Sequence, residues 1–278
     1  MSLALSATLP LQNASERIKS VEYSRIDGDP LYFDAGIPAG SGPFPAAIIV
    51  HGGGWVRGDR LTEVQPLFAP LVKAGIAWFS IDYRLSSDWT QFGVAIEDVS
   101  NAVRFVKAHA SEYRIDPDRI ALIGESAGGQ LAAMAALNSS AETRVNAVVA
   151  LYTPTDLVDL ARNSTLVPQQ LRDSVRGTPL EFLMMARLRQ LSPLFNVKRD
   201  APPFLLIHGT ADRLVPFAQS QAMCNRMKET GASCELYPVS GAGHGIRWWE
   251  GSRPEESAAY KEKIVEWLKT HLSARSFS

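Results

Sequence analysis

Short apolar segments alternate with segments of helical periodicity along most of this chain, and this alternation restricts the possible folds more than any other feature. Six apolar runs are typical of buried strands: residues 46–50, 75–83, 119–124, 146–152, 202–209 and 233–239. In a segment between two of them, one helix face carries Val99, Val103, Val106 and Ala110. Strands that alternate with helices predict a mostly parallel sheet with helices on both faces.

Two β-rich segments precede this pattern, at residues 18–26 and 30–38, and Asp27-Gly28-Asp29 joins them. An Asp-Gly pair between such runs is typical of an antiparallel hairpin. No linker interrupts the pattern, so residues 1–278 are predicted to form one α/β domain. In sheets of this kind the reactive groups collect at the carboxyl ends of the strands.

Charge and hydropathy exclude several classes of partner. The chain has 28 Lys and Arg against 29 Asp and Glu, so nucleic acid is not an expected partner. No apolar run reaches the roughly 20 residues of a membrane-spanning helix, so no membrane partner is expected either. The first twenty residues lack an early Lys or Arg and make a poor signal peptide. A cytoplasmic protein is favoured, with a secreted form that has lost its signal as the alternative.

The two cysteines, Cys224 and Cys234, lie on a predicted helix and on the strand that follows it. A reduced, structural pair is the favoured interpretation; a disulfide is the alternative and would indicate export. No group of Cys, His and Asp has metal-ligand spacing, and neither a G-x-G-x-x-G motif nor a P-loop is present. Neither a metal nor another cofactor is expected.

The segment Gly124-Glu125-Ser126-Ala127-Gly128 carries the first sign of chemistry. It fits the G-x-S-x-G pattern and stands between a strand and a helix, where the glycines allow a sharp turn that exposes Ser126. A serine nucleophile needs a histidine base, which in turn needs an orienting carboxylate. Asp212 follows the next-to-last strand and His244 follows the last one, so all three lie at strand ends in the order that this motif requires.

A glycine-rich loop, His51-Gly52-Gly53-Gly54-Trp55, follows the strand at 46–50. Attack of a serine on a carbonyl carbon creates an oxyanion, which fixed N–H donors must stabilise. We expect these donors to be the amides of Gly53, Gly54 and Ala127, because glycines leave the backbone N–H groups accessible.

Together the motifs HGGGW, SIDYRLS, IDPDRIALIG, GESAGG and GTADRLVP…GAGHG resemble α/β-hydrolase esterases of the hormone-sensitive-lipase-like group. They resemble more closely the bacterial acetyl xylan, feruloyl and related short-acyl carboxylesterases, over about residues 20–272. The resemblance implies an α/β-hydrolase fold and a serine carboxylesterase that uses no cofactor. It also implies a small-molecule or carbohydrate ester as substrate. The oligomeric state, monomer or homodimer, stays open.

Two alternatives remain. The H-G-G-x-W motif also resembles kynurenine formamidase, which has the same triad, so amide hydrolysis is one alternative. A non-catalytic ligand-binding homologue is the other, since a fold does not determine a function. Retention of all three triad residues disfavours it.

The interval between Leu151 and Pro203 exceeds the roughly 30 residues of a whole βαβ unit. We expect residues 155–200 to form a small helical cap over the site. The candidate substrate walls are Trp55, Phe182, Met184 and Met185. The long N-terminal cap of larger lipase-like members has no counterpart in residues 1–45, which favours an open pocket and short acyl groups.

Overall fold

An eight-stranded sheet forms the centre of the molecule. The computed structural model describes residues 15–26, 28–86, 92–163, 173, 176–252 and 254–274. The strands are β1 (Glu16–Ile26), β2 (Asp29–Ile37), β3 (Phe44–Val50), β4 (Ala77–Ile81), β5 (Ile115–Glu125), β6 (Ala147–Leu151), β7 (Phe204–Gly209) and β8 (Cys234–Val239). Their order across the sheet is β1-β2-β4-β3-β5-β6-β7-β8. The pairs β1–β2 and β2–β4 are antiparallel, and the other neighbours are parallel.

Helices cover both faces of this sheet, as the alternating sequence pattern predicts. They are α1 (Phe68–Lys73), α2 (Phe92–Ala108), α3 (Ala127–Leu137), α4 (Leu157–Asn163), α5 (Pro179–Gln190), α6 (Pro193–Asn196), α7 (Ala218–Glu229), α8 (Ile246–Ser252) and α9 (Pro254–His271). The buried side chains of α2, α3 and α7 belong to one core cluster, and those of α1 and α9 to a second. Every residue of α3 is buried, which agrees with a sequence that is apolar all round the helix.

The parallel register brings the carboxyl ends of β3, β5 and β6 to one edge of the sheet. Val50 of β3 pairs with Gly124 of β5, and Glu125 pairs with Leu151 of β6. The glycine-rich loop after β3, the turn after β5 and the residue after β6 therefore leave the sheet side by side. This edge carries the candidate site.

Most predicted elements are confirmed, including the hairpin at the edge, although its turn residue Asp27 lies outside the described residues. Strand β5 begins at Ile115, earlier than predicted, because the backbone of Phe44 on β3 already pairs there. The predicted cap segment contains α4, α5 and α6; its residues 164–172, 174 and 175 lie outside the described part. That residues 1–278 form one domain stays a prediction.

The expectation of two reduced cysteines is wrong, because Cys224 and Cys234 form a disulfide. Helix α7 packs against β8, which places the two Cα atoms 5.4 Å apart, within the range that a disulfide spans. The number of residues between the two cysteines does not determine the distance between their Cα atoms.

We expect reduction of this disulfide to lower the free energy of unfolding by about 2–3 kcal/mol, the chain-entropy value for a closed loop of this length. Thermal unfolding with and without dithiothreitol measures the change, and a variant with both cysteines replaced by alanine should not respond to the reductant. An unchanged melting temperature in a sample whose thiols titrate as free would contradict the expectation.

Candidate active site

Ser126 occupies a strained turn between β5 and α3. Its φ of 49° and ψ of −120° lie in a region that non-glycine residues rarely adopt. Close packing around the turn explains the flanking glycines, because a Cβ atom at Gly128 would overlap the carbonyl oxygens of Val50 and His51. The sequence predicted that these glycines allow the sharp turn; in the structure it is the lack of room for a Cβ atom, not a positive φ, that accounts for Gly124 and Gly128.

Ser126, His244 and Asp212 form a hydrogen-bonded series. His244 Nε2 lies 2.9 Å from Ser126 Oγ, and His244 Nδ1 lies 2.7 Å from Asp212 Oδ2. A carboxylate accepts hydrogen bonds, so Nδ1 carries the hydrogen and Nε2 is left to accept the serine proton. This is the arrangement required for a serine nucleophile with a histidine base.

Asp212 is held as an ion by several donors. Its side chain has no exposed surface, and its Oδ1 accepts from the amides of Leu214 at 2.9 Å and Val215 at 3.0 Å. Burial raises the pKa of Asp212, but hydrogen bonds from His208 and His244 outweigh it and hold this pKa well below its ordinary value. Asp212 therefore stays charged where a histidine base operates.

His208 of β7 also contributes to this arrangement, a role that no sequence motif indicated. Its Nε2 lies 2.9 Å from the Val215 carbonyl oxygen and 3.3 Å from Asp212 Oδ2, and its Nδ1 lies 2.7 Å from Ser220 Oγ. The side chain is fully buried. His208 thus contacts the same carboxylate oxygen, Oδ2, as His244 and helps to hold it in place.

The glycine loop after β3 places bare backbone beside Ser126. Gly53 and Gly54 have φ values of 111° and 64°, and a Cβ at Gly53 would overlap the carbonyl oxygen of Arg57. Within the described residues, no acceptor lies within hydrogen-bond range of the amides of Gly53, Gly54 or Ala127. These N–H groups are available to an anion, and the last of them also opens helix α3, whose dipole favours negative charge.

Side chains behind the loop hold it in place. The Tyr83 hydroxyl donates to the carbonyl oxygen of His51 at 3.1 Å, and the two rings stack at 4.4 Å. Burial lowers the pKa of His51 below its ordinary value, so this histidine braces the loop as a neutral group. Downstream, the backbone and guanidinium of Arg60 both bind the Asp82 carboxylate.

A cavity of about 1780 Å³ opens in front of Ser126 and His244. The glycine loop lines one side, and helix α5 contributes residues at helical spacing: Leu180, Glu181, Met184, Met185 and Leu188. Two expected wall residues, Met184 and Met185, thus lie at the cavity. Phe182 does not line it: it is 75% exposed, because it lies on the opposite face of the same helix.

Trp55 also lines the cavity, but it is more constrained than a simple wall. Its Nε1 donates to Gln130 Oε1 at 2.9 Å, and its ring stacks on Phe92 at 4.5 Å. Gln130 Nε2 in turn donates to the Leu191 carbonyl oxygen at 2.7 Å. Gln130 therefore connects the glycine loop to the cap. In the sequence, the only indication of this role is the position of Gln130 in the first turn of the helix that follows Ser126.

Residues 34–227 match the BD-FAE family. This match covers more than half of the chain. The chain belongs to the BD-FAE family. Its α/β-hydrolase fold, predicted from the sequence, is confirmed by solved esterase structures over nearly the whole chain.

Relatives of this BD-FAE chain carry esterase names. It is similar to esterase LipC of Mycobacterium tuberculosis, with 31% identity over 78% of this chain and 56% of LipC. A truncated carbohydrate esterase from gut microbiota has 26% identity and a TM-score of 0.76, with 95% of this chain and 98% of that chain covered. Propionate-bound Est2 from Thermogutta terrifontis has 25% identity and a TM-score of 0.73, with 92% and 94% covered. The chain spans about half the length of the curated relatives it matches.

The described part of the chain contains neither a candidate membrane span nor a candidate metal site. None of its helices combines the length and apolar character needed to span a bilayer. No three of its His, Cys, Asp and Glu side chains are grouped so that they could hold a metal ion.

Proposed function

We propose that this protein is a carboxylic-ester hydrolase that works through an acyl-enzyme on Ser126. The single observation that carries the proposal is the hydrogen-bonded series from Ser126 through His244 to Asp212 at the wall of an open cavity. The family match and the esterase names of its relatives support the same reaction.

In the proposed reaction, Ser126 Oγ attacks the ester carbonyl carbon while His244 Nε2 takes its proton. The amides of Gly53, Gly54 and Ala127 stabilise the resulting oxyanion; one such donor is typically worth about 100- to 1000-fold in rate. The imidazolium returns the proton to the departing alcohol, which leaves an acyl group on Ser126. Water, deprotonated by the same histidine, then releases the carboxylic acid and restores the serine.

We further propose that the natural substrates are acetyl or feruloyl esters of a carbohydrate. The similarity to a carbohydrate esterase supports this assignment. The cavity is wide enough for a sugar, and its lining mixes apolar side chains with charged and polar ones such as Asp59, Thr62 and Arg162. Trp55, Met184 and Met185 supply apolar surface against which an aromatic acyl group could pack.

A substrate panel tests both the proposed ester hydrolysis and the proposed carbohydrate-ester substrates. We expect acetylated oligosaccharides and feruloyl sugar esters to be hydrolysed with a higher kcat/KM than acyl-matched simple alkyl esters, since the sugar adds contacts. N-formylkynurenine serves as the amide competitor. Hydrolysis of this compound alone would replace the esterase by a formamidase.

The proposed preference for short acyl groups gives a graded prediction. Each methylene that is fully buried contributes about 0.8 kcal/mol, so a deep apolar slot would favour longer chains several-fold per carbon. Here the cavity lining includes charged groups such as Arg57 and Glu63, and a longer acyl tail that contacts them gains little. We expect kcat/KM for p-nitrophenyl esters to be highest from acetyl to butyryl and to fall steeply by octanoyl. A maximum at octanoyl or beyond would overturn the short-acyl assignment.

A further inference from the structure

Two separate loops have to be placed correctly for the proposed reaction, on which this inference rests. The glycine loop after β3 provides Gly53 and Gly54, while the loop after β8 provides His244. An error of about 1 Å between such groups can cost about a hundredfold in rate. A physical link between the two loops therefore has catalytic value.

The carboxyl group of Glu125 holds the first loop. Glu125 is the last residue of β5, directly before Ser126, and it is almost fully buried. Its Oε1 accepts a hydrogen bond from the Gly52 amide at 2.9 Å. Gly52 fits closely there, because a Cβ atom at this position would lie 3.1 Å from the same oxygen.

The hydroxyl group of Tyr152 extends the contact to the second loop. It donates to Glu125 Oε2 and accepts from the Ile246 amide at 3.0 Å, two residues after His244. The Tyr152 ring also meets the His244 ring edge-on at a centroid distance of 4.8 Å. Tyr152 itself is fixed, since its amide donates to the Ile207 carbonyl oxygen at 2.8 Å.

The protonation of this pair favours a lasting link. Burial raises the pKa of Tyr152 well above its ordinary value, so the hydroxyl keeps its proton and remains a donor. Burial also raises the pKa of Glu125, against the opposing hydrogen bonds from Tyr152 and Gly52. Each carboxyl oxygen accepts one of these hydrogen bonds, Oε1 from Gly52 and Oε2 from Tyr152, so one carboxyl group contacts both partners at once.

We propose that Glu125 and Tyr152 are positioning residues that join the glycine loop to the His244 loop. One carboxyl group next to the nucleophile binds the start of the first loop directly and the second loop through a tyrosine hydroxyl. The relative position of the oxyanion donors and the base is thereby set by one continuous series of hydrogen bonds: Gly52 to Glu125, Glu125 to Tyr152, and Tyr152 to Ile246.

The test is a double-mutant cycle with Tyr152→Phe and Glu125→Gln. Phenylalanine keeps the ring against His244 but removes the hydroxyl, and glutamine has only one oxygen where two donors need acceptors. We expect each single variant to lower kcat for p-nitrophenyl acetate by on the order of tenfold with KM nearly unchanged, because the loss falls on the transition state. Since both act through one link, the double variant should be no more than about threefold slower than the worse single variant.

A matched control removes a hydrogen bond at the opposite edge of the sheet. The Ile120 amide donates to Asn146 Oδ1 at 2.9 Å, directly before β6, so Asn146→Ala should leave kcat within about twofold of the parent value. Titration with a fluorophosphonate counts the reactive serines in each sample, and each kcat is calculated per reactive serine. Partial misfolding of a variant therefore does not appear as a lower kcat.

Three outcomes would overturn the inference: an unchanged kcat in Tyr152→Phe, a rise in KM without a fall in kcat, or multiplicative losses in the double variant. These outcomes are separate from failure of the proposed esterase. That function is tested by the parent protein against Ser126→Ala, whatever the Tyr152 and Glu125 variants do.

Discussion

Replacement of Ser126 by alanine is expected to lower kcat for p-nitrophenyl acetate by at least about four orders of magnitude. The change removes only Oγ, which lies 2.9 Å from His244 Nε2 and is the hydroxyl oxygen that accepts the acyl group in the proposed reaction. What remains is the slow attack of water assisted by the oxyanion donors and by binding.

Stability should hardly change in this variant, because alanine occupies the same strained turn and the serine side chain is only half-buried. Ser100→Ala on α2 is the matched control, a serine-to-alanine change away from the cavity, and should retain full activity. Steady-state kinetics and thermal unfolding of both variants decide the matter. Substantial hydrolysis by folded Ser126→Ala would remove the serine from the mechanism.

Replacement of Asp212 by asparagine is expected to lower kcat by about four orders of magnitude, nearly as much as loss of the nucleophile. Asparagine keeps the shape but offers an N–H₂ group and a neutral oxygen where the His244 and His208 hydrogens meet a carboxylate. The imidazole then has no charged partner to hold Nδ1–H in place or to stabilise the imidazolium. KM should change far less than kcat, because the carboxylate acts in the transition state.

The control for Asp212→Asn is Asp98→Asn. Asp98 is a fully buried aspartate on α2 whose carboxylate pairs with Arg84 at 2.7 Å, and neither residue lines the cavity. Its replacement should lower the free energy of unfolding without a specific fall in kcat, because it removes one partner of the ion pair with Arg84. Comparable falls in kcat for both variants would mean that Asp212 acts through stability rather than through His244.

The sequence could predict the strands and the candidate triad because both depend on local chemistry. Buried parallel strands are continuous apolar runs, and the turn at Ser126 demands small residues at Gly124 and Gly128 for steric reasons. Once a serine follows one strand, the partners that it needs can be sought at the ends of later strands. Asp212 and His244 are the residues that meet this requirement.

Features that depend on contacts between distant segments could not be predicted. Apolar side chains lie all round α5, so its sequence did not indicate that Met184 faces the cavity while Phe182 faces outward. The spacing of Cys224 and Cys234 did not give the distance between helix α7 and strand β8. The link between Glu125 and Tyr152 depends on the register of β5 and β6, which the sequence does not specify.

Covalent labelling tests the central claim, that Ser126 is the nucleophile of an acyl-transfer reaction, most directly. The protein is treated with a limiting series of fluorophosphonate concentrations, and the adduct is mapped by peptide mass spectrometry while ester hydrolysis is measured in parallel. The account predicts one adduct, on Ser126, with activity lost in proportion to its occupancy and no adduct in Ser126→Ala. Full modification of Ser126 with hydrolysis intact, or inactivation by an adduct on another residue, would contradict it.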